Sequence, residues 1–251
     1  MGSAPAMSAQ LQLFESREIS PSWNVRVSRR ARRLSVRVYP GGRVEVVVPH
    51  GASPATVQRF VGTHRDWIQQ RVADLSAVTG VTTDTRPEHI DLAALDRKFM
   101  VEYCYAASRI TTARVRSDHV LEISGAIEDD RQIAAALQNW LFDLAEHELL
   151  RELQRMAGIG GFEFSRLQVR RQRTRWGSCS AAGTISLNVC VLFQPVDVMR
   201  YLLIHELSHT RHMNHSRRFW ALVESLEPDY QRLDRELLKG WQRVPGWMFT
   251  S

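Results

Sequence analysis

With 251 residues, 44% of them hydrophobic and 24% charged, the chain has the composition of a folded globular protein, as one large domain or two small ones. No apolar run approaches the roughly 18 residues of a membrane span, so no membrane partner is expected. Three scattered cysteines, Cys104, Cys179 and Cys190, exclude a disulfide framework and fit a reducing cytoplasm.

Residues 1–20 read as a disordered start, and the first dozen lack the basic-then-apolar order of a secretory signal. Apolar residues then alternate, Leu34, Val36, Val38 and again Val44, Val46, Val48, with Pro40-Gly41-Gly42 between the runs. This predicts a β-hairpin with one buried face. Ser53-Pro54 predicts a helix start, a hydroxyl cap followed by the proline that a first turn tolerates. Val57, Phe60, Val61, His64, Trp67, Ile68, Val72 and Leu75 recur at helical spacing and predict one helix packed on that hairpin, with His64 a core histidine. Residues 78–88 read as a loop, and strands expected at 99–105, 112–115 and 120–123 complete a β-rich module over 21–125.

A long amphipathic helix is predicted over 129–156, carrying Ile133, Leu137, Trp140, Leu141, Leu144, Leu149 and Leu153, and stopped by Gly158, Gly160 and Gly161. Strands at 167–171 and 183–191 flank the segment 173–180. Pro195 starts a helix, and Ser216 precedes another bearing Phe219, Trp220, Leu222, Val223 and Leu226. Pro228 breaks the pattern before Tyr230, Leu233, Leu237 and Leu238. The expected class is therefore α+β, with the β-rich module followed by a second domain over 126–240 and a tail at 241–251.

The run His205-Glu206-Leu207-Ser208-His209 carries the chemistry. On a helix it sets two imidazoles on one face, within reach of one ion, with a carboxylate between them in sequence. A catalytic zinc site takes three protein ligands and leaves one position open. His212 continues the same face but climbs a turn away from His205, whereas His215 follows Asn214, a residue that tolerates the left-handed turn needed to fold back, so His215 is favoured as the third ligand. The resulting spacing is that of the metzincin proteases, although His212 stands where their motif has glycine and nothing around Met248 identifies a Met-turn. Glu206 points about 100° away from His205 and suits a general base toward water that a metal has made acidic. The second ring nitrogens need acceptors, for which Glu224, Glu227 and Asp229 are candidates.

The net charge is +6, and only Lys98 and Lys239 among the cations are not arginine. Clusters at Arg29, Arg30, Arg32, Arg33 and at Arg166, Arg170, Arg171, Arg173, Arg175 leave nucleic acid open as a partner. It is not favoured, because no stacking motif or helix-turn-helix signature accompanies the charge.

The segments Arg175-Trp176-Gly177-Ser178-Cys179, Leu187-Asn188, Pro195, His205-Glu206-Leu207-x-His209 and Asn214-His215-Ser216-x-x-Phe219-Trp220 together resemble the YgjP-like metallopeptidases, bacterial relatives of the SprT-like and minigluzincin zinc proteins. The likeness extends to Arg32-Arg33-Leu34-Ser35-Val36-Arg37-Val38 and the strand after it, and covers most of residues 25–238. It implies a compact zincin-like fold and a zinc-dependent peptidase acting on peptide or protein, with Zn2+ held by His205, His209 and His215 and Glu206 as base. Minigluzincins use a glutamate as third ligand, and His215 points instead to the SprT-like arrangement. The resemblance also suggests that the strand at 183–189 or that at 167–171 aligns an extended peptide by edge pairing, and it brings Arg175 and Trp176 near the metal. With His212, these two are candidate contacts to substrate or transition state.

Two other functions compete. Nucleoside triphosphate pyrophosphohydrolysis, an activity associated with this family, would use the Arg166–Arg175 cluster for phosphates, but no acidic cluster for Mg2+ accompanies it. An Arg-rich nucleic-acid-binding module with structural zinc would be marked by a fourth protein ligand.

Overall fold

The computed structural model describes residues 23–39, 43–76 and 86–250, so the expectations for the disordered start, the Pro40-Gly41-Gly42 turn and most of the 78–88 loop lie outside the described residues. The chain divides into two compact units, Met1–Gly80 and Val81–Ser251, and is α+β throughout.

In the first unit, strands β1 (Asn24–Ser28), β2 (Ser35–Val38) and β3 (Val44–Pro49) form a sheet in the order β1-β3-β2, with β1 parallel and β2 antiparallel to β3. The expected hairpin is β2 and β3. Strand β1 was not anticipated, although Val25 and Val27 alternate on it. Val46 and Val48 turn inward against Val57 and Val61 of helix α1 (Pro54–Thr63), with Val25, Leu34, Val36 and Phe60 packed around them. Ser53 caps α1, its hydroxyl accepting the Thr56 N–H at 3.2 Å.

The single helix expected here is two. At His64 the backbone leaves helical geometry (φ −107°, ψ 9°) and α2 (Arg65–Ser76) begins. Gly62 and Thr63 are weak helix formers, so the break costs little. It re-phases the apolar stripe. Ile68 remains buried, Trp67 is 54% exposed, and His64, expected in the core, is exposed with Nδ1 2.7 Å from the Phe60 carbonyl.

In the second unit, β4 (His89–Leu92), β5 (Arg97–Tyr105), β6 (Thr112–Ser117) and β7 (Val120–Gly125) form a sheet in the order β4-β5-β7-β6, parallel between β5 and β7 and otherwise antiparallel. These strands, which the sequence groups with the hairpin over 21–125, lie in the same compact unit as the helices that follow. The cause is packing. Phe99, Leu121 and Ile123 are buried, and Phe99 sets its ring edge-on to Trp140 of α3 (Asp130–Gly160) at 5.3 Å. Asp129 caps α3 through the N–H groups of Arg131 and Gln132, and Gly161 ends it in the left-handed conformation at φ +61°.

A three-stranded sheet follows, β8 (Arg166–Arg170), β9 (Gly177–Cys179) and β10 (Thr184–Asn188), in the order β8-β10-β9. Strand β10 runs parallel to β8 and antiparallel to β9. The β9–β10 turn depends on Gly183 at φ +73°. A 3-10 turn over Val189–Phe193 leads through Pro195 into α4 (Val196–Ser208), then α5 (Arg217–Leu226), capped by Ser216, and α6 (Tyr230–Lys239). Residues 241–250, expected as a tail, are packed: two 3-10 turns bury Trp241, Val244, Trp247 and Met248, and Trp241 stacks on Trp176 at 4.3 Å. Among the described residues no helix is long and apolar enough to cross a membrane.

Candidate metal centre

Helix α4 is the second unit's central element. Val198, Met199, Leu202, Leu203, Ile204 and Leu207 are buried around most of its circumference, between α3, α5, α6 and β9. A helix so enclosed has little freedom to shift, and it carries His205 with Tyr201 one turn before it. His209 stands where the helix ends, still right-handed at φ −65° and ψ −20°. The chain then turns, the N–H groups of Arg211 and His212 both bonding back to the Ser208 carbonyl at 3.1 and 3.0 Å. This turn returns His215 toward the helix just before Ser216 caps α5 with its hydroxyl on the Phe219 N–H.

The three histidines meet. Nε2 of His215 lies 3.1 Å from Nε2 of His205, and one nitrogen from each of His205, His209 and His215 lies within 4.8 Å of the others. Among the described residues no fourth His, Cys, Asp or Glu belongs to this group, and no acidic cluster forms another. Rings from α5 hold the imidazoles: Phe219 stacks on His209 at 4.5 Å, and Trp220 on His215 at 5.5 Å with Tyr230 behind it at 5.2 Å. Phe219 and Trp220 also set their rings edge-on to His205 at 5.0 and 5.7 Å, so this pair of the sequence motif braces all three histidines.

Hydrogen-bond partners fix the ring tautomers. The Tyr201 hydroxyl donates to Asp234 Oδ1 at 2.8 Å, so it can only accept from His205 Nδ1, 3.3 Å away. His209 Nδ1 faces the His212 carbonyl at 3.1 Å and must donate to it. Both rings therefore carry their proton on Nδ1 and present an unprotonated Nε2, the form a divalent cation needs. Burial, followed by the neighbouring His209 and His215, pushes His205 down to about 3. Burial likewise lowers His209, against the pull of the His212 carbonyl.

Glu206 is 5% exposed, and its Oε2 is buried with no hydrogen-bond partner. Burial pushes its carboxyl up to about 8, while the Arg175 guanidinium pulls the other way. Gly177 of β9 lies directly against it. A Cβ there would fall 2.6 Å from Oε1 and 2.8 Å from Cγ, so only glycine leaves room for the carboxylate.

Of the other residues singled out from sequence, Arg175 is exposed and acts on Glu206 by charge. Trp176 is 7% exposed and stacked on Trp241, a core position. His212 serves through its backbone carbonyl. Glu224, Glu227 and Asp229 are not the acceptors for the ligand rings; Tyr201, Asp234 and the His212 carbonyl are the groups in place. Tyr201 was available as a signal, four residues before His205 on the same face, whereas Asp234 is 29 residues after it and has none.

The expectation that strand 183–189 aligns a peptide by its edge does not hold, because β10 is the central strand and both its edges are taken. The sheet's edges are β8 and β9, and β9 is the one beside Glu206. The Ser180 N–H bonds to Thr184 O and the Asn188 N–H to Trp176 O, so the alternation directs the N–H and C=O of Gly177 and Cys179 away from β10.

The profile of the YgjP-like, metallopeptidase domain matches residues 32–239. Among solved structures, the chain is similar to the crystal structure of the metallopeptidase zymogen abylysin of Pyrococcus abyssi, at 28% identity over 38% of this chain and 96% of that one, with a TM-score of 0.34. No curated protein sequence matches.

Proposed function

Because the chain belongs to the YgjP-like metallopeptidase family, and is thereby a metal-dependent hydrolase, we propose that His205, His209 and His215 hold a zinc ion and that Glu206 is the general base of peptide-bond hydrolysis. The observation that carries this reading is three imidazole nitrogens within 4.8 Å of one another beside a buried carboxylate with a partnerless oxygen. Two of the donors are neutral imidazoles with second nitrogens already engaged, which fits zinc's preference for nitrogen ligands oriented from behind. A zinc ion held there supplies Lewis acidity, and its charge adds to that of Arg175 in keeping Glu206 ionised.

Glu206 takes a proton from the attacking water on its free Oε2 and delivers it to the leaving amine nitrogen as the C–N bond breaks. Tyr201 and Asp234 keep His205 in the tautomer that ligates. The outward N–H and C=O groups of Gly177 and Cys179 offer an extended peptide a short antiparallel partner beside Glu206. With a glycine at that position, the peptide backbone can approach the carboxylate closely.

Metal analysis combined with turnover of a denatured protein substrate tests this reading. Glu206→Gln is expected to keep one zinc per chain and lose hydrolysis, and His215→Ala to lose the zinc. Hydrolysis retained by Glu206→Gln, or stoichiometric zinc retained by His215→Ala, refutes the assignment.

A further inference from the structure

The chain's positive charge is not spread over the molecule. Residues 23–76 hold ten arginines against the three carboxylates Glu45, Asp66 and Asp74, a net +7, while residues 86–251 hold 22 cations against 21 carboxylates, a net +1. The excess belongs to the small first unit. Within it, Glu45 is shared by Arg26 at 3.1 Å and Arg37 at 3.7 Å, so the one acidic residue of the sheet is already occupied.

Four further arginines, Arg29, Arg30, Arg32 and Arg33, stand on the six-residue connection between β1 and β2. All four are exposed, and none has a carboxylate partner among the described residues. The two strands lie on either side of β3, about 10 Å apart at two strand spacings, and the connection spans that gap at the Pro49 end of the sheet. The Ala31 N–H bonds back to the Ser28 carbonyl at 3.3 Å, so the connection opens on a tight turn. Four like charges on six residues, with no carboxylate partner among the described residues, suit a polyanion.

We propose that this end of the first unit binds the phosphate backbone of a nucleic-acid duplex. Along about 10 Å of axis a duplex presents about six phosphate charges on its two strands, enough for each of the four arginines to face one. Guanidinium groups pair with phosphate oxygens through two parallel hydrogen bonds, a fit that a lysine ammonium, acting as a point charge, does not offer. A membrane surface fits less well, because the only apolar side chains of the connection, Ala31 and Leu34, are half-buried, Leu34 against the valine core, and leave nothing to insert between lipids. The lack of a stacking motif or helix-turn-helix is no obstacle, since backbone contacts give affinity and register without reading bases. The inference does not depend on the peptidase reading and stands or falls separately from it.

The test is fluorescence anisotropy of the full chain with labelled duplex DNA and duplex RNA of about 20 base pairs, titrated between about 50 and 200 mM salt. Four phosphate contacts give a slope of log K against log salt of about −3.6 on DNA, so affinity falls on the order of 100-fold across that range. The combined variant R29A/R30A/R32A/R33A is expected to lose that slope and at least tenfold in affinity, while R166A/R170A/R173A in the second unit stays within about twofold of the parent. The separate variants R30A and R33A are each expected to lower the slope by about 0.9, which keeps the test valid should the combined variant fail to fold. The DNA and RNA arms identify which backbone is preferred. Unchanged binding by the combined and single variants overturns the proposal, as does capture by phosphatidylserine vesicles or polyglutamate with no binding to either duplex.

Discussion

Gly177→Ala tests the position of the Glu206 carboxylate while leaving His205, His209 and His215 as they are. A Cβ at residue 177 falls 2.6 Å from Oε1, about 0.8 Å inside ordinary van der Waals contact at 3.4 Å, and lies 2.8 and 2.9 Å from Cγ and Cδ. The three nearest atoms all belong to Glu206, and the backbone there is not in the left-handed region, so alanine brings no conformational strain of its own. Glu206 is 5% exposed and on a helix buried around most of its circumference, so the whole side chain must swing rather than the helix. Overpacking of this kind costs about 1–3 kcal/mol of stability. A misplacement near 1 Å costs on the order of 100-fold in turnover. The three histidines are untouched, so metal content is expected to stay at the parental level while kcat falls about 100-fold, with a rise in KM as well because Gly177 also lies on the edge proposed to pair with the peptide. Gly183→Ala serves as the control: its φ of +73° charges about 1–2 kcal/mol to an alanine, and kcat is expected to hold. Turnover, zinc content and Tm measured on both variants decide the matter. A Gly177→Ala enzyme with parental kcat refutes the placement of Glu206 as base.

Other expectations follow from the surroundings of the site. Tyr201→Phe removes the acceptor of His205 Nδ1 while keeping the ring, and is expected to weaken zinc binding by about 10- to 100-fold in a chelator competition. Asp234→Asn, which leaves a weaker acceptor for the Tyr201 hydroxyl, should fall between it and the parent. Glu152 bonds to Arg155 on its own helix and to Arg200 on α4 at 2.6 and 2.9 Å, and the Arg155 hydrogen bond in particular holds its carboxyl down near 2 against burial. A depressed carboxylate stabilises the fold above its ordinary value of 4.5 and loses that contribution as pH falls toward 2. Urea midpoints of the parent and Glu152→Gln are therefore expected to differ at pH 6 and to converge between pH 4.5 and 2; a constant difference across that window counts against the pairing. Burial pushes the Cys190 thiol up to about 12, so iodoacetamide at neutral pH should leave Cys190 unlabelled in the native protein and modify it only after unfolding, as peptide mass spectrometry can read.

The residues that could be read from sequence are those whose roles are local. Two histidines four apart declare a shared helical face, and Asp129 marks the start of a long helix by chemistry confined to a few residues, although that helix runs through Gly158 and Gly160 and only Gly161 ends it. The left-handed turn expected at Asn214 does not form: Asp96 is the one non-glycine with positive φ among the described residues, and the chain turns instead through bonds to the Ser208 carbonyl. The first sheet shows where such reading fails. Val25 and Val27 alternate as clearly as Val36 and Val38, yet no feature of the sequence says that β1 adds parallel to the far side of β3. The order β8-β10-β9 is likewise a property of pairings between distant segments, which is why β10 could be taken for an edge strand. Gly177 looks like part of a turn until Glu206 is placed against it. Trp241 and Trp247 lie in 3-10 turns too short for any periodicity to register, with Val244 between them, so only their burial reveals that they are core.

The stacking of Trp241 on Trp176 has a consequence for how the enzyme can be silenced. Trp176 immediately precedes Gly177, and its indole rests on a ring supplied from a segment that Gln138 fastens to α3 through the Trp247 carbonyl at 2.6 Å. A nick or fusion that pulls residues 241–250 from their seat removes the wall behind β9 and lets the glycine drift from the carboxylate it accommodates. Turnover is then expected to fall with His205, His209 and His215 all in place, a loss that metal content alone does not reveal.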